Sequence, residues 1–139
     1  MADRQEQLFA EFEKLFRIKN ECSCRIFSEC GLPDITVRQV AYLRTIDQQE
    51  EVTFSRLAEI TKNSKPTITE TINRFVRMEC VYRESCPEDK RILYIRLTEK
   101  GKKIAQAEQV ALRQVIEQMI AALDENELDL LAGILEKIG

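Results

Sequence analysis

The chain has no histidine among its 139 residues. That removes the side chain best suited to general acid–base work near neutral pH, and a common metal ligand. Four glycines leave little for phosphate-cradling loops, and neither a G-x-S-x-G nor a P-loop pattern occurs. No paired carboxylates stand in an apolar setting; Glu88 and Asp89, for example, fall on a polar turn. An enzyme is therefore not expected, and no cofactor or metal is called for. No segment approaches the roughly eighteen consecutive apolar residues of a membrane span. The start, MADRQEQ, is too polar for a signal peptide. A cytoplasmic protein with no membrane partner is expected. Five cysteines, an odd number without a secretory leader, suit a reducing compartment better than a disulfide framework.

What the chain does contain is ordinary in amount and unusual in placement. With 44% apolar and 32% charged residues it reads as a soluble globular protein of single-domain length with a modest core. The net charge of −3 alone speaks against a polyanionic partner. Residues 53–103, however, carry twelve Lys/Arg against seven Asp/Glu, a local +5, and the remainder carries −8. Local potential rather than overall charge attracts nucleic acid.

That basic segment lies within Val52–Gly101, around which the chain is organised. Thr53 can cap a short helix whose apolar face is Phe54, Leu57, Ala58 and Ile60. Ser64 can cap the next, and Pro66 is tolerated in a first turn whose N–H groups lack helical partners. Ile68, Ile72, Phe75 and Val76 recur there at helical spacing, with Lys65, Thr69, Glu70, Asn73 and Arg77 opposite. This is the layout of a helix-turn-helix, whose second helix enters the major groove. From Val81 the period changes. Val81–Cys86 and Ile92–Leu97 alternate as two strands, and Pro87–Arg91 forms a charged tip between them.

The motifs LA at Leu57-Ala58, SKPTIT at 64–69, NRF at 73–75, PEDKR at 87–91 and LTEKG at 97–101 resemble the MarR family of winged-helix regulators in order and spacing. The resemblance implies a mainly α (α+β) fold: a winged helix-turn-helix with long N- and C-terminal dimerisation helices. Residues 1–139 would form one domain, with 35–103 as the DNA-binding core and 1–34 and 104–139 as dimerisation helices. It implies DNA contacts from the recognition helix at Ser64, Lys65, Pro66, Thr67, Thr69, Glu70, Asn73, Arg74 and Arg77. From the wing it implies Asp89, Lys90 and Arg91. In the family the wing arginine enters the minor groove and the aspartate holds its guanidinium. A planar, permanently charged donor suits that narrow, negative groove. The bland alternative is an exposed hairpin with an incidental ion pair.

The implied function is sequence-specific regulation of transcription by a homodimeric repressor on a palindromic double-stranded operator, released by a small-molecule effector or an oxidant. Its rivals are a winged helix used as a protein-interaction module and a cysteine-based redox sensor. Two residues depart from the family pattern. Glu79 stands where glycine usually follows the recognition helix. Glu70 replaces a frequent basic residue; its carboxylate can accept from cytosine N4 but repels phosphate.

The flanks are amphipathic. Gln5 to about Glu29 is expected as one helix carrying Leu8, Phe12, Leu15, Phe16, Cys22 and Ile26, ended by Gly31 and Pro33. Thr36 and Gln39 form a capping box, with Val40, Leu43 and Ile46 pointing inward. Thr98 caps a helix to about Ala122, lined by Ile104, Ala111, Val115, Met119 and Ile120. Asp124 and Glu127 open a last helix with Leu128, Leu131, Ile134, Leu135 and Ile138 on one stripe. Leu8, Phe12, Leu15, Phe16, Leu131, Ile134, Leu135 and Ile138 exceed what a small core needs and are assigned to dimerisation. Among the thiols, Cys22 continues the apolar stripe. Cys24 and Cys30 have polar neighbours and are the redox candidates. Cys22 and Cys24 stand about 200° apart on a helix, which does not aim two sulfurs at one metal.

Overall fold

The computed structural model describes residues 2–139. In chain order the elements are α1 (Ala2–Glu29), α2 (Val37–Asp47), β1 (Val52–Thr53), α3 (Phe54–Thr61), α4 (Lys65–Arg77), β2 (Val81–Ser85), β3 (Leu93–Leu97), α5 (Glu99–Ala122) and α6 (Glu125–Ile138). The mainly helical winged-helix fold is the one the sequence pattern indicates. The described residues pack as two compact units, Ile26–Ala107 and the segments up to Arg25 and from Glu108 to Gly139.

The helix starts follow from their caps. Thr36 Oγ1 accepts the Gln39 N–H at 3.1 Å while Gln39 Oε1 accepts the Thr36 N–H at 3.0 Å. Thr53 Oγ1 accepts from Arg56 N–H at 3.1 Å, Ser64 Oγ from Thr67 N–H at 3.3 Å, and Thr98 Oγ1 from Gly101 N–H at 3.0 Å. Asp124 and Glu127 reciprocate in the same way as Thr36 and Gln39. Each cap satisfies donors that the helix itself leaves unpaired.

In the larger unit Leu43, Leu57, Ile68, Ile72, Phe75, Val81, Ile95 and Ile104 are buried in one core. Phe27, Ala105 and Ala107 join it, so the core reaches beyond 35–103 on both sides. The sheet is antiparallel in the order β1-β3-β2, with Val52 opposite Ile95 and Arg83 opposite Ile95 on the other side. Three details differ from the sequence reading. β1 is an additional strand, too short at two residues to leave an alternation. The wing strands lose one residue each, Cys86 and Ile92, although Cys86 N–H still donates to Ile92 O at 2.9 Å. α1 begins at Ala2 rather than Gln5.

Glu79 adopts φ 63, the left-handed conformation that glycine accepts without strain. Its N–H donates to Val76 O at 3.0 Å and Cys80 N–H to Phe75 O at 2.9 Å, a Schellman closure of α4. Lys62 ends α3 in the same way at φ 57, and sequence reading missed it. Glu79→Gly is expected to raise stability by about 1 kcal/mol. A urea-unfolding midpoint unchanged or lowered would contradict this account of the turn.

The second unit has a thin interior. Cys22, Ser23, Ala111 and Val115 are its buried residues among those described, and the Lys19 ammonium pairs with Glu108. Ile120, expected on the inward face, is exposed, and Met119 is half-buried. No side chain of α6 is buried.

Candidate nucleic-acid interface

α4 buries one side and offers the other. Ile68, Ile72 and Phe75 are sealed in the core, whereas Ser64, Lys65, Pro66, Thr67, Thr69, Glu70, Arg74 and Arg77 are exposed and Asn73 is half-buried. Several of these side chains already have partners. The Ser64 and Thr67 hydroxyls lie 2.9 Å apart at the helix start. Thr69 Oγ1 donates to Lys65 O at 3.0 Å, which leaves its lone pairs and methyl group for an incoming ligand. The Arg83 guanidinium donates to Asn73 Oδ1.

The cations divide into two groups. Arg56 pairs with Glu59 at 3.1 Å. Arg96 reaches Glu50 O at 3.1 Å and lies 5.1 Å from the centre of the Tyr94 ring, so it serves the sheet. Among the described residues Lys65, Arg74, Arg77 and Lys90 have no carboxylate within ion-pair distance. Cations without internal partners are the ones available to phosphate.

At the wing, Arg91 Nε donates to Asp89 Oδ1 at 3.1 Å and its terminal nitrogen to Oδ2 at 3.2 Å. Arg91 N–H also donates to Asp89 Oδ1 at 3.0 Å. The Arg91 side chain is 91% exposed. The guanidinium, then the backbone N–H, hold the Asp89 carboxyl below its ordinary range. It stays ionised at neutral pH, and the clamp is released only as pH falls through that depressed value. An exposed pair of this kind contributes little to folding. Its geometric effect is to fix where the arginine points.

Sequence reading missed Arg83. It occupies the same side of β2 as buried Val81 but is itself exposed, so no local signal in the sequence marks it. Its guanidinium carbon lies 5.8 Å from the centre of the Phe54 ring.

The thiols separate by burial. Cys24 is exposed on α1, Cys22 buried, and Cys30 half-buried against the core. Burial raises the Cys80 thiol, against a smaller lowering by Lys100, so it stays protonated. The buried Cys86 thiol at the wing base, followed by loss of water, pushes the Tyr94 hydroxyl up to about 12. Among the described residues no group of His, Cys, Asp or Glu is arranged to hold a metal.

A capped helix with unpaired cations, seated in a helix-turn-helix beside an arginine-tipped hairpin, defines a winged-helix DNA-binding protein. Residues 35–93 match the profile of the MarR family. The transcriptional regulator HosA of Escherichia coli O111:H- is 31% identical over 107 residues, 77% of this chain and 79% of that protein. The chain belongs to the MarR family and is a DNA-binding transcriptional regulator. Solved structures share its fold. S. aureus MepR in complex with DNA aligns with a TM-score of 0.70 at 21% identity over 96% of each chain. MepR bound to ethidium bromide aligns with a TM-score of 0.70 at 21% identity over 93% of this chain and 91% of that one.

Proposed function

We propose that the protein is a cytoplasmic homodimeric repressor of a palindromic operator. In this reading α4 lies in the major groove with Ser64, Lys65, Pro66, Thr67, Thr69, Glu70, Asn73, Arg74 and Arg77 toward the DNA. The wing places Asp89, Lys90 and Arg91 at the flanking minor groove. The observation that carries it is the bidentate grip of Asp89 on a guanidinium that is otherwise in solvent. Orienting an exposed cation in the free protein reduces the ordering needed when it enters a groove.

Release follows from an effector. MepR has been solved with ethidium bromide as well as with DNA, which supports a small-molecule route. Cys24 is the more accessible of the two redox candidates for an oxidant. Dimerisation through Leu8, Phe12, Leu15, Phe16, Leu131, Ile134, Leu135 and Ile138 is supported by how few of them are covered. Only Leu15 and Leu131 are half-buried, and the other six are exposed.

The test is selection of bound sequences from a random duplex pool, expected to return an inverted repeat. On that repeat Arg91→Ala should cost about 1–3 kcal/mol of affinity, and Asp89→Ala less, because the guanidinium survives but loses its orientation. Wild-type affinity in both variants at fixed salt would remove the wing from the interface.

A further inference from the structure

Asn73 and Arg83 are joined across two elements of the interface. The Arg83 guanidinium, carried on β2, donates to Asn73 Oδ1 on α4 and lies over the Phe54 ring of α3. Guanidinium has five N–H donors and no acceptor. The amide of Asn73 must therefore turn its oxygen toward Arg83, whichever way it would rotate alone. Its Nδ2 hydrogens have no hydrogen-bond acceptor among the described residues, in a side chain that is half-buried.

That matters for what an asparagine can read. The usual asparagine–adenine pair needs both amide atoms, with Oδ1 accepting from N6 and Nδ2 donating to N7. With one lone pair of Oδ1 taken and the guanidinium charge beside it, an incoming amino donor such as adenine N6 meets a weakened acceptor flanked by a cation. Guanine presents N7 and O6, two acceptors side by side, to the same Nδ2 hydrogens.

We propose that Arg83 is a specificity-determining positioning residue: by holding Asn73 Oδ1 and setting a positive charge beside it, it biases Asn73 toward donation and selects guanine over adenine in each half-site. This rests on the placement of α4 in the major groove. Arg83 itself need not touch a base.

Base preferences from a random duplex pool test it, with the wild type compared with Asn73→Ala and Arg83→Met. The position whose preference Asn73→Ala erases should favour guanine over adenine in the wild type. In Arg83→Met the amide is free to rotate, and the guanine-to-adenine ratio there should fall by roughly fivefold or more, toward adenine. A purely structural or phosphate-binding Arg83 would weaken all sequences alike and leave that ratio unmoved, which overturns the proposal. So does a wild-type preference for adenine at that position. If Asn73→Ala alters no preference, Lys65→Ala and Thr69→Ala separate the cases. Altered preferences elsewhere mean that only the assignment to Asn73 and Arg83 fails. No alteration in any of them means that the major-groove placement of α4 fails too. Matching melting curves for the variants exclude unfolding as the cause, because Arg83 is exposed.

Discussion

Phe12→Glu combined with Ile134→Glu is expected to give a chain that sediments as a monomer, or unfolds, and binds its operator at least roughly a hundredfold more weakly. The reason is uncovered apolar surface. Leu8, Phe12, Phe16, Ile134, Leu135 and Ile138 are each between 50 and 79% exposed. Covering the remaining half of each contributes about 1 kcal/mol. Six such side chains from each of two chains are enough to offset the several kcal/mol that association costs. α6 is the sharper case, a fourteen-residue capped helix with nothing buried. A helix of that length is marginal in water without packing, so the proposed partner surface would account for its formation. Losing the dimer also separates the two half-sites, and with them the gain from making the second contact intramolecular. The wild type should sediment as a dimer at micromolar concentration. A folded monomer that still holds a palindrome tightly would overturn the assignment.

Gly101→Ala is expected to lower stability by about 3 kcal/mol, from overpacking together with the loss of a backbone hydrogen bond. A Cβ at Gly101 would stand 2.0 Å from Cys80 O, 2.9 Å from its carbonyl carbon and 3.3 Å from its Cα. All three are backbone atoms, and Cys80 is held from several directions. Its N–H donates to Phe75 O at 2.9 Å, its carbonyl accepts from Thr98 N–H at 3.0 Å, and its side chain is fully buried. Thr98 Oγ1 donates to Glu79 O at 2.6 Å beside it, so the first turn of α5 is tied to the end of α4. Neither backbone can give way without releasing one of these bonds. The melting temperature should fall by roughly 10 °C, with DNA affinity spared in whatever fraction remains folded. A variant melting within about 2 °C of the wild type would show that the two segments separate cheaply.

The sequence alone determined the parts of this protein that rest on local chemistry. The caps at Thr36, Thr53, Ser64, Thr98 and Asp124 were legible because a hydroxyl or carboxylate and its donor lie three residues apart along the chain. The core stripe of α4 was legible because helical periodicity reports burial directly. The clamp between Asp89 and Arg91 was implied by the family resemblance, and it forms because two residues on one turn meet without help from the rest of the fold. Glu79 could be flagged as a departure, but its φ of 63 was set by the way α4 closes onto Cys80. Tertiary structure alone decided the pairings between distant segments. β1 exists only because β3 is beside it, and Cys30 is half-covered because the core reaches it. Gly101 is required by the Cys80 carbonyl, which no spacing in the sequence encodes. Arg83 found Asn73 ten residues away only because β2 packs beside α4. Hydrogen bonds and steric contacts act over a few ångströms, so the chain's own order reveals those made within a turn and hides those made by packing.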